Sequence, residues 1–102
     1  MTKLYEVKTS AEWTDLNTLT RHTISGIVEL FNAGREGGVD ILWTESESKP
    51  SDTAFCRVLK RQSSAVFTVG SQPIWVKSEA SRAKLMISSL NSTGEPSIKG
   101  IL

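Results

Sequence analysis

The chain has 102 residues, 38% of them hydrophobic, a formal net charge of +1 and one cysteine, Cys56. That length predicts one domain, the near-neutral charge gives no general pull toward nucleic acid or a membrane surface, and a lone cysteine excludes an internal disulfide and a thiolate metal cluster. No apolar run approaches the roughly 20 residues a helix needs to cross a bilayer. The alternating opening Met1-Thr2-Lys3-Leu4-Tyr5-Glu6 has no signal-peptide core, so a soluble chain made in the cytoplasm is expected.

Three parts follow in chain order: 1–22, 23–88 and 89–102. In the first, Leu4, Tyr5, Glu6 and Val7 alternate as in a strand or an extended arm. Thr9-Ser10-Ala11-Glu12 then has the form of a capping box, in which a Thr and a Glu three residues on satisfy orphan backbone donors. Trp13, Leu16 and Leu19 recur at three-residue spacing. Together these predict a short helix over 10–19, against which the β-branched threonines at 14, 18 and 20 work.

The second part is strand-rich. Ile24, Gly26, Val28 and Leu30 fall on one face of a strand, and Ser25, Ile27, Glu29 and Phe31 on the other. The Gly-rich run 32–38 reads as a turn, with 39–44 returning to complete a hairpin. After a polar loop over 45–53 come strands at 55–59, 65–69, 74–77 and 83–87. Short strands at this spacing predict a sandwich or small barrel. The third part carries turn formers and ends in Ile98, Ile101 and Leu102, apolar enough to dock as a strand in a partner groove. A body of about 60 residues buries only roughly 60% of its unfolded surface. Flanking segments and self-association are the stabilisers left to it.

Charge is divided along the body. Residues 23–52 hold six acidic and two basic side chains, and 53–88 hold one acidic and six basic. This polarity either lets copies meet acidic edge to basic edge, or is cancelled if folding interleaves the two segments.

Chemistry is sparse. His22 is the sole histidine and stands in no nucleophile-elbow pattern, so it reads as a linker residue. Asp40, Glu45, Glu47 and Asp52 do not match the calcium-loop spacing, and Cys56 reads as a small buried hydrophobe. The glycines at 34, 37 and 38 are followed by no Lys-Ser/Thr and no helix pattern. Arg57, Lys60 and Arg61 are basic, but seven aromatics serving a whole core leave few to interleave with them. No catalytic, cofactor-binding or metal residue is assigned, and no nucleic-acid or membrane partner is expected. Trp43 follows an apolar run and is expected inside. Trp75, between Ile74 and Val76, must face away from both, which makes it a candidate interface anchor.

Between 23 and 88 the order of motifs has a likeness. Leu30-Phe31-Asn32-Ala33-Gly34 precedes Val39-Asp40-Ile41-Leu42-Trp43, then a Ser/Pro loop Ser46-Glu47-Ser48-Lys49-Pro50, and finally Pro73-Ile74-Trp75-Val76-Lys77-Ser78. A W-x-x-S…P strand and loop followed by a late P-I-W-V-K/R-S strand resembles small β-sandwich structural proteins and tail modules of tailed bacteriophages. The resemblance implies a place in the virion, as a capsid decoration (cement) protein or a tail accessory protein. It also implies terminal arms that reach neighbouring subunits. Residues 1–22 have no counterpart in that pattern.

The sequence therefore predicts an all-β chain: a small antiparallel β-sandwich, jelly-roll-like or barrel-like, with an N-terminal arm or short helix at 1–22, a body at 23–88 and a tail at 89–102. The expected function is structural and non-enzymatic, binding and stabilising capsid or tail subunits. Its partners would be further copies of itself in a homo-oligomer and the major capsid or tail proteins. The contact residues expected are Leu4, Tyr5 and Val7 in the arm, Trp13, Trp75, and Ile101 and Leu102 in the tail. The alternatives are a carbohydrate- or receptor-binding module, for instance fibre-associated, that uses an exposed indole, and a small protein inhibitor that inserts the 45–53 loop into a target.

Overall fold

The computed structural model describes residues 2–34, 39–51, 55–79 and 83–90. They form β1 (Thr2–Lys8), β2 (Thr14–Asp15), a short helix α1 (Leu16–Thr20), β3 (Gly26–Asn32), β4 (Ile41–Glu45), β5 (Arg57–Leu59), β6 (Ser64–Val69), β7 (Ile74–Ser78) and β8 (Lys84–Leu90). The strands make two four-stranded sheets, in the orders β1-β8-β3-β6 and β2-β7-β4-β5. Every pairing is antiparallel.

The pairing pattern defines the topology. β1 pairs with β8, β2 with β7, β3 with β6 and β4 with β5, as in one long hairpin bent over itself. The bend adds β3 to β8 and β4 to β7. This is the jelly-roll form of an antiparallel sandwich, in line with the all-β expectation. Period-2 alternation decides which side chains enter it. Val28 and Leu30 of β3, Ile74 and Val76 of β7, and Leu85 and Ile87 of β8 are buried, with Leu16, Ile41 and Leu59 in the same cluster. Each such aliphatic side chain contributes about 1.5–3 kcal/mol on burial.

The strands expected as a hairpin, 24–31 and 39–44, lie in different sheets. The connection at this end is an arch from sheet to sheet, and Asn32 at the end of β3 anchors it. Its side chain is fully buried; Nδ2 donates to the carbonyls of Val39 and Leu59, and Oδ1 accepts from the Gly34 N–H, all at 3.0 Å. Buried polar groups must be paired, and Asn32 meets that demand by tying together the chain that leaves β3, the approach to β4 and the end of β5. Opposite it, Gln62 adopts a left-handed conformation (φ 63°). The Gln62 N–H donates to the Asn32 carbonyl, and the Asn32 N–H donates to the Ser63 carbonyl. This bulge sets the register of β6.

The first 22 residues also depart from expectation. Residues 2–8 are not a free arm: β1 is hydrogen-bonded along its length to β8, and the sandwich runs from Thr2 to Leu90 rather than over 23–88. The helix starts at Leu16, not near 10. Asp15 caps it, accepting from the Thr18 N–H at 3.3 Å and the Thr18 hydroxyl at 2.6 Å. The capping box does not form because Thr9 is buried elsewhere. Its hydroxyl donates to Ser78 Oγ at 2.8 Å, and its N–H donates to the Ala83 carbonyl at 2.9 Å.

The charge division is interleaved. β3, from the acidic segment, lies between β8 and β6 of the basic one, and β4 lies between β7 and β5. The sequence-level polarity thus leaves no acidic edge facing a basic one.

Candidate functional site

The outward faces of the two sheets are finished differently. On the β2-β7-β4-β5 sheet, Trp75 and Lys77 point away from the buried Ile74, Val76 and Ser78, and Trp13 packs beside Lys77. The Lys77 ammonium lies 5.0 Å from the Trp13 ring centroid, within cation–π range. Residues 46–51 then tie down over both indoles. Trp13 Nε1 donates to the Ser51 carbonyl at 3.1 Å, and Trp75 Nε1 donates to the Ser46 carbonyl at 2.9 Å. Ser46 also donates its N–H to the Pro73 carbonyl. A solvent-exposed Lys49–Glu12 pair at 2.9 Å latches the loop. The hydrogen bond from Lys49, and then its charge, hold the Glu12 carboxyl below its ordinary value.

The β1-β8-β3-β6 sheet has no such cover among the described residues. Its outward face carries Leu4, Met86, Phe31 and Val66, set among Glu6, Glu29, Lys84 and Ser88. Leu4 is opposite Ser88, Glu6 and Phe31 are opposite Met86, and Glu29 is opposite Val66. Leu4 is 62% exposed and Val66 is 61% exposed. A shallow groove of about 480 Å³ runs between Leu4, Phe31 and Met86. Glu6 and Lys84, an ion pair at 3.3 Å, are part of its lining.

A second concavity, about 510 Å³, opens where the edge strands β5 and β6 leave the two sheets apart. Trp43 and Phe67 stack across this mouth, with ring centroids at 4.5 Å and planes at 17°. The Arg57 guanidinium sits 5.6 Å over the Trp43 ring. Phe55, 92% exposed, stands on its rim. Cys56 is half-buried in the same wall rather than in the core, and it precedes β5 instead of lying within it.

The residues expected to make contacts are scattered by this arrangement. Leu4 faces outward, but Tyr5 and Val7 pack against the core, with the Tyr5 ring 5.3 Å from that of His22. Trp13 is only 4% exposed, because it is the anchor under the 46–51 loop and not a free surface. Trp75 does face away from its neighbours, yet its indole N–H is engaged by the same loop. Ile101 and Leu102 lie outside the described residues. Phe31, Met86 and Val66 were missed; the alternation in β3, β6 and β8 marks them as outward-facing, but their adjacency exists only once those strands are neighbours. No group of three or more His, Cys, Asp or Glu side chains placed to hold a metal ion occurs among the described residues. No helix among them is long and apolar enough to cross a membrane. In comparisons with known proteins, the chain matches no family model, no curated protein and no solved structure.

Proposed function

We propose that this chain is a non-enzymatic assembly module that binds protein subunits through the bare face of its β1-β8-β3-β6 sheet. A single observation carries the reading. The chain ties its own loop to the two indoles of one outer sheet face, where Val58 stays exposed at the β5 edge, and among the described residues no such loop meets Leu4, Phe31, Met86 and Val66 on the other. Apolar side chains grouped on a sheet face mark a contact surface, and here Leu4, Phe31 and Met86 share one groove with Glu6, Glu29 and Lys84. With the resemblance to phage β-sandwich proteins, the reading becomes a capsid decoration or tail accessory protein, whose partners are major capsid or tail subunits and whose place is the virion.

The sugar-binding alternative rested on a free indole. Trp13 and Trp75 spend their N–H groups on the chain's own loop, and Trp43 is stacked on Phe67 under Arg57, so the alternative is the weaker reading.

The test is sedimentation of the native particle preparation, with this chain followed by mass spectrometry. Travel with assembled particles is expected, and recombinant chain should rebind particles stripped of it. Leu4→Glu should lose that rebinding while melting like the parent. Finding the chain only among free proteins, or unimpaired rebinding by Leu4→Glu, would sink the proposal.

A further inference from the structure

The sandwich has four edge strands, and they are not equivalent. In the β2-β7-β4-β5 sheet the edges β2 and β5 are two and three residues long, too short to template another chain. In the other sheet β1 runs for seven residues and β6 for six. β1 carries Lys3, Glu6 and Lys8, the kind of charge that blunts an edge. β6 reads Ser-Ala-Val-Phe-Thr-Val, with no charge and no proline. No described strand pairs with its outer edge.

The hydrogen-bond phase of that edge is fixed. The Asn32 N–H donates to the Ser63 carbonyl, and bonded pairs recur every second residue in an antiparallel ladder. Ala65, Phe67 and Val69 therefore direct their backbone groups at β3. The N–H and C=O groups of Ser64, Val66 and Thr68 point outward, and no described strand pairs with them.

We propose that β6 pairs with β6 of a second copy, antiparallel about a two-fold axis at Val66. This joins the two β1-β8-β3-β6 sheets into one of eight strands. The register follows from the free groups. Val66 lies opposite Val66 of the second copy, Ser64 opposite Thr68, and the small Ala65 opposite the large Phe67. Three bonded pairs give about six main-chain hydrogen bonds. The exposed valines meet on the outer face, Ser and Thr hydroxyls meet beside them, and no like charges oppose one another, which is the cross-strand arrangement that stabilises a sheet. A second copy is favoured over a foreign strand because this short segment is complementary to itself in that one register, and a two-fold contact closes without leaving β6 open for a third chain. The two grooves beside Phe55 and Trp43 then come together on the same axis.

This deepens the assembly reading by naming one partner and its contact, and it is measured on the isolated chain, apart from any particle. Sedimentation equilibrium of the full chain should give twice the 11.2 kDa monomer mass. Val66→Pro removes an N–H that no described strand pairs with, so it should give a folded monomer at the same loading. Val66→Lys, which sets two like charges across the axis at an exposed position, covers the case in which the proline variant fails to fold. Leu4→Pro at the other long edge should leave the dimer intact. A monomer at every concentration overturns the pairing. So does a dimer that persists in a folded Val66→Lys chain, or one that only Leu4→Pro abolishes. A monomer that still rebinds particles overturns the self-pairing alone and leaves the assembly reading standing.

Discussion

The two outer faces of the sandwich start from the same strand chemistry and end differently. On the β2-β7-β4-β5 face residues 46–51 are tied to two large indoles, whose N–H groups both find loop carbonyls, with the Lys77 ammonium over the Trp13 ring and Val58 left exposed at the β5 edge. On the β1-β8-β3-β6 face, Leu4 and Val66 are more than half exposed, and Phe31 and Met86 line an open groove. The first face stabilises the chain that carries it, whereas apolar area left on the second gains its burial energy only when something else covers it. In a protein this small, that difference separates residues that serve folding from residues that serve contact.

Truncating matched residues on the two faces should separate them most. Trp13→Ala should cost about 3–5 kcal/mol, the range for a buried aromatic replaced by alanine, read from urea unfolding. Leu4→Ala or Leu4→Glu should change stability by no more than about 0.5 kcal/mol, with the loss appearing in particle rebinding instead. Equal destabilisation by both changes would mean the faces do not differ in role. A finer cut is Trp75→Phe, which keeps an aromatic ring but frees the Ser46 carbonyl. About 0.5–1.5 kcal/mol is expected, the net worth of one hydrogen bond. A null effect would show that the loop is held without that bond.

Much of the face assignment was legible in the sequence, and little of the sheet assignment was. The period-2 pattern of Ile74-Trp75-Val76 gave Trp75 its outward direction, which the structure bears out. Alternation within one strand is local, so it survives whatever the strand pairs with. Whether β3 and β4 make a hairpin or an arch is not local. It depends on Asn32 reaching Val39 and Leu59, bonds that no periodicity encodes. The same holds for the cover on Trp13 and Trp75, whose acceptors lie 38 and 29 positions away. The uncharged run in β6 is plain in the sequence, but only the strand order makes it an edge. Thr9 shows a local rule being overruled: its capping-box pattern is intact, yet the side chain gains more from a buried bond to Ser78 than from an exposed turn.

The smallest effect is expected at the Lys49–Glu12 latch between the loop and the residues before β2. Glu12 has its folded-state value lowered from 4.5 by the hydrogen bond and then the charge of Lys49. A lowered carboxyl contributes stability that is present above its unfolded value and is lost as pH falls through the folded one. Closure of residues 46–51 should therefore be insensitive to pH near neutrality and weaken below about pH 4.5, the ordinary carboxyl range. Both partners are exposed, so added salt should mimic part of the acid effect by screening the pair. Amide exchange at Lys49 and Ser51 is the fitting measurement, because the indole bonds keep the loop attached while its tip opens. Glu12→Gln should exchange at the acid-limit rate, corrected for intrinsic pH dependence, across the whole range. If Glu12→Gln keeps the parent's pH response, another group titrates in the latch. If neither chain responds to acid, the loop is held by the indole bonds of Trp13 and Trp75, and the contrast between the two faces lies in their indoles rather than in their charges.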